Sequence, residues 1–251
     1  MSNFSETQNR LLSMLRELRL KGMADALENQ FVNEVTYSSV SFDERLNELL
    51  IRQEAYKKES AYRRLLTNGK LKYMTNFNEL HFSENDGISK PDLQYLLSNN
   101  WVFTRPANII IQGMCGVGKT SLACCLLNNV AKEGGSVRFC RMSELSNEVL
   151  ISAKDPKAMR DLLKRYSGYK VLALDDFGLE KLEPVVLSFL YNLVDARMPG
   201  KPMIITSQLK VTNYSAYLGG GAQAEAIVDR LVKPCKIITL EGESKREALK
   251  E

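Results

Sequence analysis

The run Gly-Met-Cys-Gly-Val-Gly-Lys-Thr at residues 113–120 constrains the fold more than any other part of this chain. It satisfies every fixed position of the pattern G-x-x-x-x-G-K-[ST], in which glycines let successive backbone N–H groups turn inward. An apolar segment at residues 108–111 precedes the run, and a helical pattern at residues 121–132 follows it. Because a helix N-terminus adds partial positive charge at the same point, this context predicts a phosphate-binding P-loop between a strand and a helix.

The P-loop predicts which residues hold a nucleoside triphosphate and its metal ion. Lys119 would reach the β- and γ-phosphates, and the Thr120 hydroxyl would bind Mg²⁺. The predicted nucleotide-binding residues are Gly113, Gly116, Val117, Gly118, Lys119, Thr120 and Ser121.

Strand-like and helix-like segments alternate from residue 108 onward. This alternation predicts an α/β fold with a central parallel sheet flanked by helices on both faces. Ligands of such sheets bind at the carboxyl ends of the strands. The predicted strands are residues 108–112, 137–141, 170–174, 203–206 and 236–240.

Two aspartates end the third predicted strand. The apolar segment 171–174 leads directly into Asp175 and Asp176, which is the form of a Walker B element. Asp175 would hold Mg²⁺, and Asp176 would polarise the water that attacks the γ-phosphate. An acidic turn without a catalytic role is the alternative, but the preceding P-loop favours the catalytic interpretation.

Two further positions offer polar groups whose roles the residues alone leave open. Ser207 and Gln208 follow the fourth predicted strand, where either could contact the γ-phosphate or the attacking water, and a plain polar turn is the alternative. Arg230 lies in a predicted helix and is a candidate arginine finger for the γ-phosphate of a neighbouring subunit. From spacing alone, an ion pair with Asp229 or Glu225 is the simpler interpretation.

Residues 1–66 have the apolar periodicity of helices and predict a small all-α N-terminal domain. Ser41 and Glu44 form a predicted capping box at the start of a helix, and Gly22 is expected to mark a bend between two helices.

Residues 67–104 contain turn signals at 67–69 and 85–87 and predict a linker that enters the nucleotide-binding domain at 105–251. Within it, Trp101 and Phe103 are expected to pack in the core, with a wall for an adenine base as the lesser possibility. His81 is expected to be a surface or packing residue rather than a metal ligand.

The composition narrows the class of protein. The 251 residues are 44% hydrophobic and 25% charged, which is typical of globular proteins. We expect neither a membrane span nor a signal peptide. The five cysteines have no zinc spacing, and with one histidine they argue against a metal centre or disulfide framework and favour a cytoplasmic protein. The net charge of +4 is compatible with binding to nucleic acid.

These motifs, in this order and spacing, resemble the IstB-like family of AAA+ ATPases, the helper proteins of insertion-sequence transposons and relatives of the DnaC helicase loaders. The resemblance covers nearly the whole chain and extends beyond the P-loop. The matching segments are residues 18–27, 41–46, 174–180, 204–209, 229–232 and 240–244. The resemblance implies an AAA+ fold that, as in these relatives, lacks a C-terminal helical lid.

The resemblance also implies a function. Members of the family bind ATP with Mg²⁺, form homo-oligomers through their ATP sites on duplex DNA, deform it, and present it to a partner transposase, IstA in that family. In this chain, Ser207 or Gln208 would occupy the sensor 1 position, which contacts the γ-phosphate or the attacking water. Arg230 would be the arginine finger that acts on the γ-phosphate of the neighbouring subunit. Asp176 stands where most AAA+ proteins have glutamate, and its shorter side chain predicts slow hydrolysis that DNA or assembly stimulates.

Two basic clusters are predicted to contact DNA phosphates without reading the sequence. Solvated helix faces are the alternative for both clusters. The predicted contacts are Lys154, Lys157, Arg160, Lys164 and Arg165 in one cluster, which also contains Lys170, and Lys57, Lys58, Arg63 and Arg64 in the other, which also contains Lys70 and Lys72.

Three other functions remain open at this point. A DnaC-like loader would bind a replicative helicase and prefer single-stranded DNA. A small-molecule P-loop kinase would act as a monomer, without an arginine from a neighbour. A scaffold would bind ATP and hardly hydrolyse it.

Overall fold

The computed structural model describes residues 4–80, 86–233 and 235–245. His81 and the predicted turn that begins at residue 85 therefore lie, in whole or in part, outside the described residues. The chain divides into two compact units, Met1–Arg64 and Leu65–Glu251. No helix within the described ranges is long and apolar enough to cross a membrane.

The first unit is helical. It contains α1 (Glu6–Glu17), α2 (Lys21–Val32), α3 (Glu34–Tyr37) and most of α4 (Phe42–Gly69). The capping box predicted at Ser41 is confirmed, since Ser41 Oγ accepts the Glu44 N–H at 3.3 Å and a Glu44 carboxylate oxygen accepts the Ser41 N–H at 3.1 Å.

The bend predicted at Gly22 is wrong. The break between α1 and α2 lies at residues 18–20, and Gly22 is inside the first turn of α2. A Cβ atom at Gly22 would lie 2.7 Å from the carbonyl oxygen of Arg52 and 2.8 Å from the Cα of Gln53. This glycine therefore permits close packing of α2 on α4.

The turn predicted at 67–69 is wrong, because α4 continues to Gly69. The rest of the segment predicted as a linker contains two helices, α5 (Lys90–Leu97) and α6 (Asn100–Phe103). Trp101 is fully buried, and its Nε1 donates to the Leu96 carbonyl at 3.1 Å, so it packs in the core as predicted and cannot form a wall for a base. Phe103 is 44% exposed, so the prediction of core packing is wrong for this residue.

The second unit has the predicted α/β fold with five parallel strands. The strands are β1 (Asn108–Gly113), β2 (Val137–Arg141), β3 (Val171–Phe177), β4 (Met203–Ser207) and β5 (Cys235–Leu240). Their order in the sheet is β2-β3-β4-β1-β5. This order brings the carboxyl ends of β1, β3 and β4 together and leaves β2 at one edge.

Helices cover both faces of this sheet. They are α7 (Lys119–Lys132), α8 (Met142–Ser152), α9 (Pro156–Gly168), α10 (Pro184–Arg197), α11 (Tyr214–Tyr217) and α12 (Gly221–Val232). Ile110, Leu172, Leu174 and Ile205 pack in one apolar core with residues of α8 to α12. Because side chains alternate along a strand, their neighbours point to the opposite face, where α7 packs on the sheet.

Candidate active site

The P-loop connects β1 to α7 in the predicted position. Gly116 and Gly118 have φ values of +89° and +98°, which non-glycine residues rarely adopt, and Gly118 caps the first turn of α7. Lys119 is buried, and its Nζ donates to the carbonyl oxygens of Gly113 at 2.9 Å and Met114 at 2.6 Å. The ammonium group therefore lies inside the loop, where phosphate oxygens would compete for its protons.

The two predicted magnesium ligands lie next to each other. The Thr120 hydroxyl is 2.9 and 3.1 Å from the two carboxylate oxygens of Asp175. Asp175 is fully buried. Burial raises the pKa of its carboxyl group, while hydrogen bonds from the hydroxyls of Thr206 and Thr120 act in the opposite direction. A hydroxyl and a carboxylate at this distance are oxygen ligands that suit Mg²⁺.

Asp176 has an unusual backbone conformation. Its φ is +60°, in the left-handed region, and the pairing of β3 with β4 is irregular between Leu174 and Phe177. Aspartate tolerates this region better than most residues because its short side chain can hydrogen-bond locally. Despite this irregularity, β3 continues to Phe177, beyond the predicted end at residue 174.

Thr206 connects the two aspartates, and the sequence analysis did not single it out. Its Oγ1 donates to Asp175 at 2.5 Å and accepts the Asp176 N–H at 3.1 Å. The side chain is fully buried. Because the contact depends on how β3 and β4 pair, the sequence signal was limited to a hydroxyl residue at the end of an apolar run, next to Ser207.

The structure places the two sensor candidates differently. Ser207 is fully buried, where its hydroxyl donates to the Phe177 carbonyl at 2.5 Å and accepts the Leu209 N–H at 3.0 Å. Gln208 is exposed and lines a cavity of about 260 Å³ together with Gly113 and Met114 of the P-loop. Gln208 is therefore the more accessible of the two side chains beside the P-loop, and the sensor role of either residue stays a prediction.

Arg230 forms an ion pair, but with a partner that the sequence did not indicate. Its Nε and Nη2 lie 3.0 and 2.9 Å from Asp195 in α10, and its guanidinium carbon lies 5.0 Å from the centroid of the Tyr191 ring. Asp229 pairs instead with Lys233 at 2.6 Å. Among the described residues, neither of the alternative partners, Asp229 and Glu225, pairs with Arg230, and the finger role of Arg230 stays a prediction.

Asn108 attaches the end of α12 to the sheet. Its Nδ2 donates to the carbonyl oxygens of Arg230 at 3.2 Å and Leu231 at 2.9 Å, and its Oδ1 accepts the Met203 N–H at 2.8 Å. This buried side chain joins β1, β4 and α12, so the backbone of Arg230 has a fixed position relative to the P-loop strand.

The predicted DNA contacts are exposed, and three of them lie in ion pairs. Arg165 pairs with Glu148, Lys58 with Glu54, and Arg63 with Glu59. The remaining predicted contacts are also exposed, and they are Lys154, Lys157, Arg160, Lys164, Lys57 and Arg64.

Several known proteins are similar to this chain in sequence or in structure. An ATP-binding protein proposed for insertion sequence IS1162 of Pseudomonas fluorescens is 35% identical over 199 residues, which are 79% of this chain and 85% of that protein. The crystal structure of DnaI has a TM-score of 0.55 at 20% identity, over 73% of this chain and 93% of that chain. The crystal structure of the DnaC helicase loader has a TM-score of 0.51 at 21% identity, over 71% and 99%.

The two solved structures share the AAA+ fold with this chain. The family model described as IstB-like ATP binding protein matches residues 13–251. With a P-loop, a doubled aspartate and this sheet order in one unit, the chain belongs to the IstB-like family of insertion-sequence ATP-binding proteins.

Proposed function

We propose that this protein is an ATP-dependent transposition helper that oligomerises on duplex target DNA, deforms it and recruits a partner transposase of the IstA type. The main support for the proposal is that Lys119, Thr120 and Asp175 lie together at the carboxyl ends of the strands. The chain that holds them belongs to the IstB-like family. ATP hydrolysis would regulate the assembly, in the cytoplasm.

Each residue at the site has a separate role in this proposal for ATP hydrolysis. Lys119 and the backbone N–H groups of the P-loop bind the phosphates, and Thr120 and Asp175 would hold Mg²⁺. When bound, Mg²⁺ would neutralise charge on the phosphate oxygens. Asp176 positions the attacking water, Gln208 contacts the γ-phosphate or that water, and Arg230 acts on the site of a neighbouring subunit. The short Asp176 side chain supports slow turnover, which suits a regulator.

Thr206 is a positioning residue in this scheme, and its hydroxyl can be tested alone. Thr206→Val keeps a similar shape but removes the hydrogen bonds to Asp175 and Asp176. We expect ATP turnover to fall about 100-fold while the KM for ATP changes much less, because a small displacement of a catalytic group costs about this factor. Steady-state kinetics at saturating Mg²⁺ would measure both parameters.

Thr206→Ser is the matched control because it restores the hydroxyl. We expect it to recover turnover to within a few-fold of the wild type, while thermal unfolding shows that both variants are folded. Wild-type turnover in the valine variant, or an equal loss in the serine variant, would remove Thr206 from this role.

Sedimentation with DNA tests the proposed function as a whole. The protein is mixed with duplex or single-stranded DNA, each with and without ATP and Mg²⁺. We expect large complexes only with duplex DNA and ATP. A preference for single strands would favour a helicase loader instead, and indifference to all DNA would favour a P-loop kinase. Complexes with ATP but without measurable turnover would favour a scaffold.

A further inference from the structure

A basic groove lies along the edge strand β2 and includes Lys70 and Lys72 from the end of the second basic cluster. Its cavity has a volume of about 560 Å³. The charged residues that line this groove are Lys70, Lys72, Arg138, Arg141, Glu144 and Glu148.

The two carboxylates of the basic groove are bound by other groups of the protein. Glu144 accepts the backbone N–H of Arg141 at 3.3 Å, at the start of α8. Glu148 accepts the Tyr166 hydroxyl at 3.1 Å and forms an ion pair with Arg165. Glu144 is therefore bound by a backbone N–H and Glu148 by side chains outside the groove, and neither carboxylate forms an ion pair with a cation of the groove.

The positive charges of the four cations are not neutralised by carboxylates of the described residues. Within the described ranges, Lys70, Lys72, Arg138 and Arg141 form no ion pair with a carboxylate. Arg138 is buried, and its guanidinium carbon lies 5.9 Å from the centroid of the Tyr166 ring. Lys70 and Lys72 are exposed and Arg141 is half-buried. Unpaired cations around one cavity attract an anionic ligand.

The basic groove lies beside the candidate active site. Arg141 ends β2 and pairs in register with Asp175 of β3, at the carboxyl ends of the strands. The segment after Lys72 is attached to the P-loop helix α7, because Asn128 donates to the Thr75 carbonyl at 3.2 Å and Lys132 to the Asn76 side chain at 2.9 Å. A ligand in the groove would therefore contact residues next to both the Walker B strand and the P-loop helix.

We infer that the basic groove binds the phosphate backbone of DNA next to the ATP site, an inference that rests on the proposed function. Lysine and arginine are the side chains that bind backbone phosphates without specifying sequence. Phe139, the aromatic side chain among the described residues of the lining, is 5% exposed, so it offers no surface on which a base could stack. The described lining of the groove therefore favours phosphates over bases as its ligand.

The test removes the accessible charges of the groove together. The groove variant carries Lys70→Gln, Lys72→Gln and Arg141→Gln and leaves the buried Arg138 in place. A control variant with the same net charge carries changes at exposed residues near the amino ends of the strands. Its substitutions are Arg105→Gln, Lys201→Gln and Lys233→Gln.

DNA affinity is measured for both variants with labelled duplex and single-stranded DNA at several salt concentrations, in the presence of ATP and Mg²⁺. Each phosphate contact contributes about 0.9 to the slope of log affinity against log salt. We expect the groove variant to lose about 100-fold in duplex affinity near 0.15 M salt and up to about 2.7 in slope, since three contacts are removed. The control should keep the wild-type slope, and ATP affinity should be unchanged in both.

Each other outcome overturns a stated part of the inference. An unchanged duplex affinity and slope in the groove variant, or an equal loss in the control, would overturn the groove while leaving the proposed function intact. Lost ATP affinity would assign the groove to a nucleotide phosphate, and a loss limited to single strands would overturn duplex binding there. A wild-type protein that binds no DNA at all would overturn the proposed function as well.

Discussion

Replacing Lys119 with alanine is expected to abolish ATP binding and, with it, assembly on DNA. The Lys119 Nζ lies inside the P-loop, within 2.9 Å of two loop carbonyls, where it would meet the β- and γ-phosphates. Charged hydrogen bonds of this kind each contribute about 1.5–3 kcal/mol, so we expect ATP affinity to fall by at least about 100-fold. Calorimetric titration with ATP and sedimentation with duplex DNA would measure the two losses.

Lys132→Ala is the matched control for this variant. Lys132 lies on the same helix but contacts Asn76 at the far end from the P-loop. We expect it to keep ATP affinity within a few-fold of the wild type. Normal DNA-loaded oligomers of the Lys119→Ala protein would contradict the proposed dependence of assembly on ATP.

Replacing Arg230 with alanine is expected to have the second-largest effect, on turnover rather than on binding. An arginine finger contributes a factor of about 10³–10⁵ to phosphoryl transfer, so turnover in the assembled protein should fall at least about 1,000-fold and assembly should be lost. ATP affinity of the single subunit should stay nearly unchanged. The present partner of Arg230, Asp195, is 58% exposed, and exposed ion pairs are weak, so this pair can exchange for a phosphate.

Asp195→Asn separates this role from a structural one, because it removes the ion pair and keeps the guanidinium group. We expect the asparagine variant to retain turnover and assembly. Equal losses in Asp195→Asn and Arg230→Ala would show that the ion pair itself is what matters. Mixing Lys119→Ala with Arg230→Ala subunits gives a further check, since a finger that acts across an interface should restore part of the turnover.

The sheet and the P-loop could be predicted because their signals are local. Each predicted strand overlaps an observed strand, and the phosphate-binding loop starts where β1 ends. Apolar runs between helical patterns specify strands in parallel sheets, and glycines at positive φ specify the loop. The register and order of the strands involve residues far apart in sequence, and these were not predictable in the same way.

Thr206 and Ser207 show what register adds to the site. Both are hydroxyl residues at the end of one strand, and only the second was among the candidates predicted from the sequence. The pairing of β4 with β3 directs Thr206 to Asp175 and buries Ser207 against the Phe177 carbonyl. Similarly, the basic groove exists because β2 is an edge strand, which no local pattern of residues indicates.

Two short helices lie within residues 67–104, which were predicted to be a linker. The start of the first helix nevertheless has local sequence features of a helix N-terminus. Ser89 caps α5 by accepting the Asp92 N–H at 3.2 Å, and Pro91 lies in its first turn. These are ordinary marks of a helix start. The turn signals nearby outweighed them because α5 and α6 have too few residues to show clear periodicity.

The left-handed backbone of Asp176 restricts how this position can evolve. Glycine, asparagine and aspartate adopt such a φ readily, whereas glutamate lacks the short side chain that stabilises it locally. A single mutation from aspartate to glutamate would therefore meet a backbone suited to the shorter acid. A lineage that acquired glutamate here would also have to change the pairing of β3 with β4. The acidic residue at this position and the irregular pairing are therefore expected to change together among descendants.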